Sequence, residues 1–178
     1  MGLNQPELTC RCGGERMRAL PFMACLGPSA LGADNDPDLT ANHKSGDFCG
    51  IEVHGDVFVY IRCVLPVSIG DGAESGFGFG LWSTLSPENV SRYPESFDDD
   101  DQSNLGPMFG CLGNRLPGWP GTQTLPLTVM PQDGEQRPNV FQEHGHPDHP
   151  LFQDQQKGRD EAHLTQMAAP LLPCAGRS

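Results

Sequence analysis

Val57-Phe58-Val59-Tyr60-Ile61-Arg62-Cys63-Val64-Leu65 decides the fold class. Its residues alternate with a period of two. Val57, Val59, Ile61, Cys63 and Leu65 share one apolar face, and Phe58, Tyr60, Arg62 and Val64 share the other. β-Branched and aromatic residues dominate, which reads as a strand with one strongly buried face. Pro66 should end or bend it, because proline donates nothing to a ladder. Gly70-Asp71-Gly72-Ala73-Glu74-Ser75-Gly76 reads as a turn. A second strand follows, with Phe77, Phe79, Leu81, Ser83 and Leu85 on one face and Gly76, Gly78, Gly80, Trp82 and Thr84 on the other. Three glycines beside Trp82 form a shallow trough, which suits a packed helix better than a ligand.

The flanks extend this pair. Phe48–His54 reads as a short strand that the turn at Gly55 folds back against Val57–Leu65 as a hairpin. Ser86-Pro87-Glu88 opens a helix with serine as N-cap and proline at the first position, and Pro94 should stop it. Asp98-Asp99-Asp100-Asp101 reads as a solvated loop, since consecutive carboxylates do not converge on a hard metal. Met108–Leu112 is a short apolar segment, and residues 114–121 form a rigid turn around Trp119. Thr122–Met130 reads as a strand moved toward a sheet edge by Pro126, and Asn139–Gln142 as a last strand. Asp148-His149-Pro150 opens a C-terminal helix, interrupted at Gly158. The expectation is an α+β domain over residues 47–169. Its mainly antiparallel sheet carries an internal short helix and a C-terminal helix, with a weakly ordered arm at 1–46 and a tail at 170–178.

Composition bounds the partners. The chain has 178 residues, long enough to bury a core, and 22 glycines with 17 prolines favour strands and turns over long helices. Its formal net charge of -12 repels phosphate backbones and anionic lipids, so neither nucleic acid nor a membrane surface is expected, whereas a basic protein partner is permitted. The N-terminus has no basic start or apolar run, and no stretch approaches a membrane span. With seven cysteines, an odd count, this points to reduced thiols and a cytoplasmic location.

Several segments together resemble a bacterial family known as domain of unknown function 2199. They are Phe48-Cys49-x-Ile51 with residues 57–62; Gly78 to Ser86 followed by Glu88-Asn89; Phe109 to Pro120; Arg137-Pro138; and Asp148-His149-Pro150-Leu151 with Gln155 and Gly158. The resemblance runs from about residue 47 to about residue 166. It implies a small cytosolic bacterial protein and supplies no reaction. The family commonly begins with Cys-x-x-Cys-Gly and a following His. Here the pair is Cys10-x-Cys12-Gly13, one residue shorter and with no His close by, and Trp119 stands where the family commonly has tyrosine.

The chemical candidates each compete with a packing role. Cys10 and Cys12 are candidate zinc ligands, which Cys25, Cys49 or His43 would have to complete; a single compact pair favours a metal-free arm. His144-x-His146-x-x-His149 lies in a Gly/Pro loop that fixes no ligand directions, and the packing reading has Asp148 capping the next helix while His149 meets the sheet or the Trp119 turn. Cys111 with His149 would be a nucleophile and base only if they met, and a cysteine in an apolar segment is usually core. Arg62, inside a hydrophobic strand, requires a partner such as Asp148, Glu88 or a ligand anion.

The leading reading is a non-enzymatic protein-interaction domain of an immunity or regulatory accessory type. The alternative is a small-ligand- or metal-binding protein, or an enzyme, with a pocket near Arg62, Trp82, Trp119 and His149. The ligand or interaction candidates are Arg62, Trp82, Asn114, Arg115, Trp119, Asp148, His149 and Gln155.

Overall fold

The computed structural model describes residues 7–9, 16–18, 22–24, 40–44, 46–53, 55–69, 76–97, 99–134, 136–142 and 148–168. Cys10, Cys12, Cys25, His144, His146, the turn at 70–75 and the tail from residue 169 lie outside them. In chain order the elements are β1 (Glu7–Thr9), β2 (Arg16–Arg18), β3 (Phe22–Ala24), β4 (Thr40–Lys44), β5 (Phe48–Val53), β6 (Asp56–Ser68), β7 (Gly76–Thr84), α1 (Pro87–Glu95), β8 (Met108–Cys111), β9 (Pro126–Met130), β10 (Asn139–Gln142), α2 (Pro150–Lys157) and α3 (Glu161–Ala168). Among the described residues β1 and β2 form a two-stranded sheet of their own, and the other strands form one sheet in the order β3-β7-β6-β10-β9-β8, with β5 beside β6 and β4 beyond it. The fold is α+β with a mainly antiparallel sheet; β3 on β7 and β10 on β6 are parallel pairs. β3 and β4 fall within the segment expected to be an arm, and both join this sheet.

β6 is the spine. One edge pairs with β7 from Tyr60 to Ser68, and the other pairs first with β5 and then, at Val64, with β10. Pro66 does not end it, and the ladder explains why. Arg62 N donates to Asp47 O and Val64 N to Pro138 O, both on the side away from β7. Pro66 has the same parity, so its missing donor faces that side too, beyond the one residue that β10 pairs, and no β7 bond is lost. Pro126 is tolerated for another reason. It is the first residue of β9, which sits between β8 and β10 and not at the expected edge.

The sheet curls until its ends meet. β3 takes the first half of β7, leaving Trp82–Ser86 to meet the chain around β8. Ser83 bridges Leu112, Ser86 N donates to Phe109 O (3.3 Å) and Gly113 N to Trp82 O (2.7 Å). Gly110 makes this closure physically allowed. A Cβ there would collide with the Thr84 carbonyl oxygen and lie 2.5 Å from Ser83 Oγ. The inward faces of the ring supply the core: Ile61, Cys63, Leu65 and Val67 of β6, Phe79 and Leu81 of β7, Met108, Leu127, Val129 and Val140.

The helices finish the core. α1 starts where expected, but Asn89 Nδ2 donates to the Ser86 hydroxyl (2.9 Å), and that hydroxyl makes no bond to the helix backbone. α1 also continues through Pro94 to Glu95, burying Tyr93 beside Phe48 and Phe97. Gly158, at a φ of 74°, breaks the C-terminal helix into α2 and α3, as its sequence position predicts. Trp119 carries α2 over the Phe79 face and not over the glycine trough.

Candidate functional site

Most of the residues singled out above hold two packing units together, and the structure places those units on opposite faces of β7. The first is built on the turn after β8. Thr122 Oγ1 donates to Asn114 O (3.0 Å) and accepts from Leu116 N (2.8 Å), closing the turn from within. Arg115 Nε to Gln123 Oε1 (2.6 Å) closes it on the solvent side. The turn presents Trp119, 2% exposed, edge-on to Phe79 with ring centroids 5.2 Å apart. The indole Nε1 donates to Asp154 Oδ2 (2.8 Å), and Asp154 Oδ1 accepts from Arg159 Nε (2.7 Å). Arg159 N in turn donates to Ser68 O at the end of β6. One buried carboxylate thus ties the turn, α2 and the central strand together. An unpaired carboxylate there would carry a large desolvation cost, and two donors meet it.

His149 and Gln155 belong to this unit. His149, not Asp148, caps α2: its Nδ1 accepts from Leu151 N (3.2 Å), while Asp148 is exposed and its carbonyl accepts from Gln153 Nε2. A histidine does this work because Nε2 meets Pro120 O at 3.1 Å, which places the proton on Nε2 and leaves Nδ1 free to accept. The expected contact between His149 and the Trp119 turn is therefore made. Gln155 Nε2 donates to Val140 O (2.8 Å) and latches α2 to β10.

The second unit faces the other way. Arg62 is the cross-strand partner of Trp82, with its guanidinium carbon 6.0 Å from the ring centroid. Arg62 Nη1 donates to Gly46 O (3.3 Å), so the contact seen runs to the β4–β5 turn and not to Asp148 or Glu88. Trp82, 1% exposed, has its backbone N bound by Asn114 Oδ1 (2.6 Å). Arg62, Trp82, Trp119 and His149 therefore do not line one cleft. Both indoles are buried, and Phe79 and Trp82 point to opposite faces of β7.

Cys111 and His149 form no nucleophile–base pair, because both ring nitrogens of His149 are engaged elsewhere. Burial also raises the Cys111 thiol above its ordinary value, outweighing a hydrogen bond with Thr84, which is the reverse of activation. Among the described residues Cys49, Cys63 and Cys111 form no disulfide, and no group of three or more His, Cys, Asp or Glu is placed to hold a metal.

The buried thiols and phenols predict alkaline lability. Desolvation pushes Cys63 and Tyr93 up strongly and Tyr60 up as well. Below the ordinary thiol value of 9.0 the folded and unfolded chains hold the same protons and the stabilisation is complete. Above it the unfolded chain loses protons that the fold retains, so stability falls as pH rises. Cys63 alone contributes a slope of about 1.4 kcal/mol per pH unit, with the tyrosines joining above 10.0. Urea unfolding from pH 8 to pH 11 should show this decline, shallower in Cys63→Ala. A flat profile contradicts the burial described.

One feature of the outer surface is not absorbed by packing. On β8, β9 and β10 the residues facing away from the core are Phe109 and Cys111, Pro126, Thr128 and Met130, and Asn139 and Phe141. Thr128 pairs with Phe109 on one side and with Phe141 on the other. The two phenylalanines, 50% and 38% exposed, thus stand in one row across three strands, about 10 Å apart. Composition cannot show this row, since it exists only in the register of three short strands. Among the described residues the other large exposed apolar side chains, Val57 and Phe58, are consecutive in β6 and point to opposite faces. To one side of the row, past the strand ends, the loop after α1 is pinned to the turn after β9 by Gln102 N to Asp133 Oδ1 (3.1 Å) and Gly134 N to Asp100 O (3.2 Å). This gathers the exposed residues Asp99, Asp100, Asp101 and Asp133. β8 begins where β9 ends, with Met108 opposite Val129, so these residues lie past the Met108 end of β8 and the Met130 end of β9, to one side of the row along the strand direction.

No helix among the described residues is long and apolar enough to cross a membrane. No curated protein and no solved structure matches the chain. Residues 9–159 match the family described as an uncharacterized protein conserved in bacteria (DUF2199), and with most of its length so matched the chain belongs to that bacterial family.

Proposed function

We propose that this protein is a non-enzymatic interaction domain, of an immunity or regulatory accessory type, and that it binds a protein partner through the outer face of β8, β9 and β10. The supporting observation is the Phe109–Thr128–Phe141 row, two aromatic side chains left exposed on either side of Thr128 while the opposite face of the same strands buries Met108, Leu127, Val129 and Val140 in the core. Aromatic residues are enriched in the centres of protein interfaces, and a contiguous apolar patch on a soluble surface marks a contact site more often than a lone exposed side chain does. The residues that a pocket would need are engaged in packing instead: Trp119 on Asp154, His149 on Pro120 and Leu151, and Asn114 on Trp82.

The double variant Phe109→Ser/Phe141→Ser tests this reading. Both side chains are outward-facing, so unfolding free energy should change by under about 1 kcal/mol. Partner retention on an affinity column, compared between the wild type and the variant, should then be lost in the variant. A partner held equally by both removes this face from the function.

A further inference from the structure

We infer that the partner's contact segment is cationic as well as apolar: a basic stretch of polypeptide that lays hydrophobic side chains on Phe109 and Phe141 and a lysine or arginine against the carboxylates beside the row. This rests on the reading of the β8–β10 face as an interaction surface and goes beyond it by fixing the partner's chemistry. Charge complementarity carries the inference. Asp99, Asp100, Asp101 and Asp133 are all exposed and are held beside the apolar row, past the Met108 end of β8 and the Met130 end of β9, by the Gln102–Asp133 and Gly134–Asp100 bonds. The loop is therefore fixed in place beside the aromatics. The chain as a whole carries a net charge of -12, so its long-range field attracts basic partners and repels acidic ones. The same field opposes occupation of this face by a second copy, which would bring two chains of net charge -12 together.

The test uses the full chain and three short synthetic peptides. One alternates lysine with phenylalanine, one alternates glutamate with phenylalanine, and one alternates lysine with serine. The lysine–phenylalanine peptide should bind saturably and lose about tenfold in affinity between roughly 0.05 and 0.3 M salt. Asp99→Asn/Asp100→Asn/Asp133→Asn should weaken it about tenfold, and Phe109→Ser/Phe141→Ser should abolish it. Equal binding of the glutamate–phenylalanine peptide, lost in the phenylalanine variant, overturns the cationic partner and leaves the face standing. Equal binding of the lysine–serine peptide, or no binding of the lysine–phenylalanine peptide, overturns the inference. Binding indifferent to Phe109→Ser/Phe141→Ser removes the face itself.

Discussion

Replacing Trp119 by alanine should cost about 4 kcal/mol of stability. The side chain is 2% exposed and sits edge-on to Phe79, so its removal takes away a large apolar contact and opens a cavity under the turn. It also takes the indole donor from Asp154, which is 6% exposed and left with Arg159 alone. Trp119→Phe keeps a ring against Phe79 but removes the N–H together with part of the indole's volume, and should cost less than the alanine variant, about 1–3 kcal/mol. Urea unfolding midpoints of the two variants measure both quantities. A loss below about 1 kcal/mol for Trp119→Ala would mean that the turn does not bear on the core as described.

Gly110→Ala carries the second large effect. A side chain at this position meets the backbone carbonyl of Thr84 and the Ser83 hydroxyl where the curled sheet closes on itself. A carbonyl in a paired strand cannot rotate aside as a long side chain can. The strand must shift, breaking the Ser83–Leu112 bridge or the Gly113 N to Trp82 O bond. Overpacking of this kind costs about 3 kcal/mol. Gly46→Ala is the matched control, because a Cβ there meets nothing within 4 Å. Thermal unfolding should separate the two substitutions clearly, and similar midpoints would argue against ring closure at Gly110.

The parts of the fold that were legible in the sequence share a physical cause. β5, β6 and β7 are neighbours in the chain and strongly alternating, so each hairpin is specified locally. The helix at Pro87 and the break at Gly158 were readable from capping and backbone chemistry. β10 was legible as a strand but not in its place. Its pairing with β6 rests on one residue, Asn139 opposite Val64, contributed by chain segments far apart. The same holds for the closure. Gly110 inside an apolar segment is a signal of close backbone approach, but nothing local says that Thr84 is what approaches.

The candidate residues divide in the same way. Arg62 stood out as a charge inside an apolar strand, Trp82 beside the glycines, Trp119 and Asn114 in the turn after β8, and His149 and Gln155 in the segments that resemble the family; the structure gives each of them a partner from within the chain. Arg115 and Asp148 are exposed, and what Asp148 was expected to do His149 does. Asp154 was missed, although a signal existed: it lies three residues after Leu151, on the apolar stripe of α2, where a carboxylate must be paired. Phe109 and Phe141 were missed for a different reason. Each looks like an ordinary strand residue, and only their common partner Thr128 makes them a surface.

That surface is the centre of the account, and mapping it by nuclear magnetic resonance tests it most directly. On titration of the labelled protein with the lysine–phenylalanine peptide, amide shifts should be confined to Phe109, Thr128, Met130 and Phe141 and to the Asp99–Asp101 and Asp133 turns beside them. Shifts clustered instead at Val57 and Phe58, or around Trp119 and His149, would contradict it.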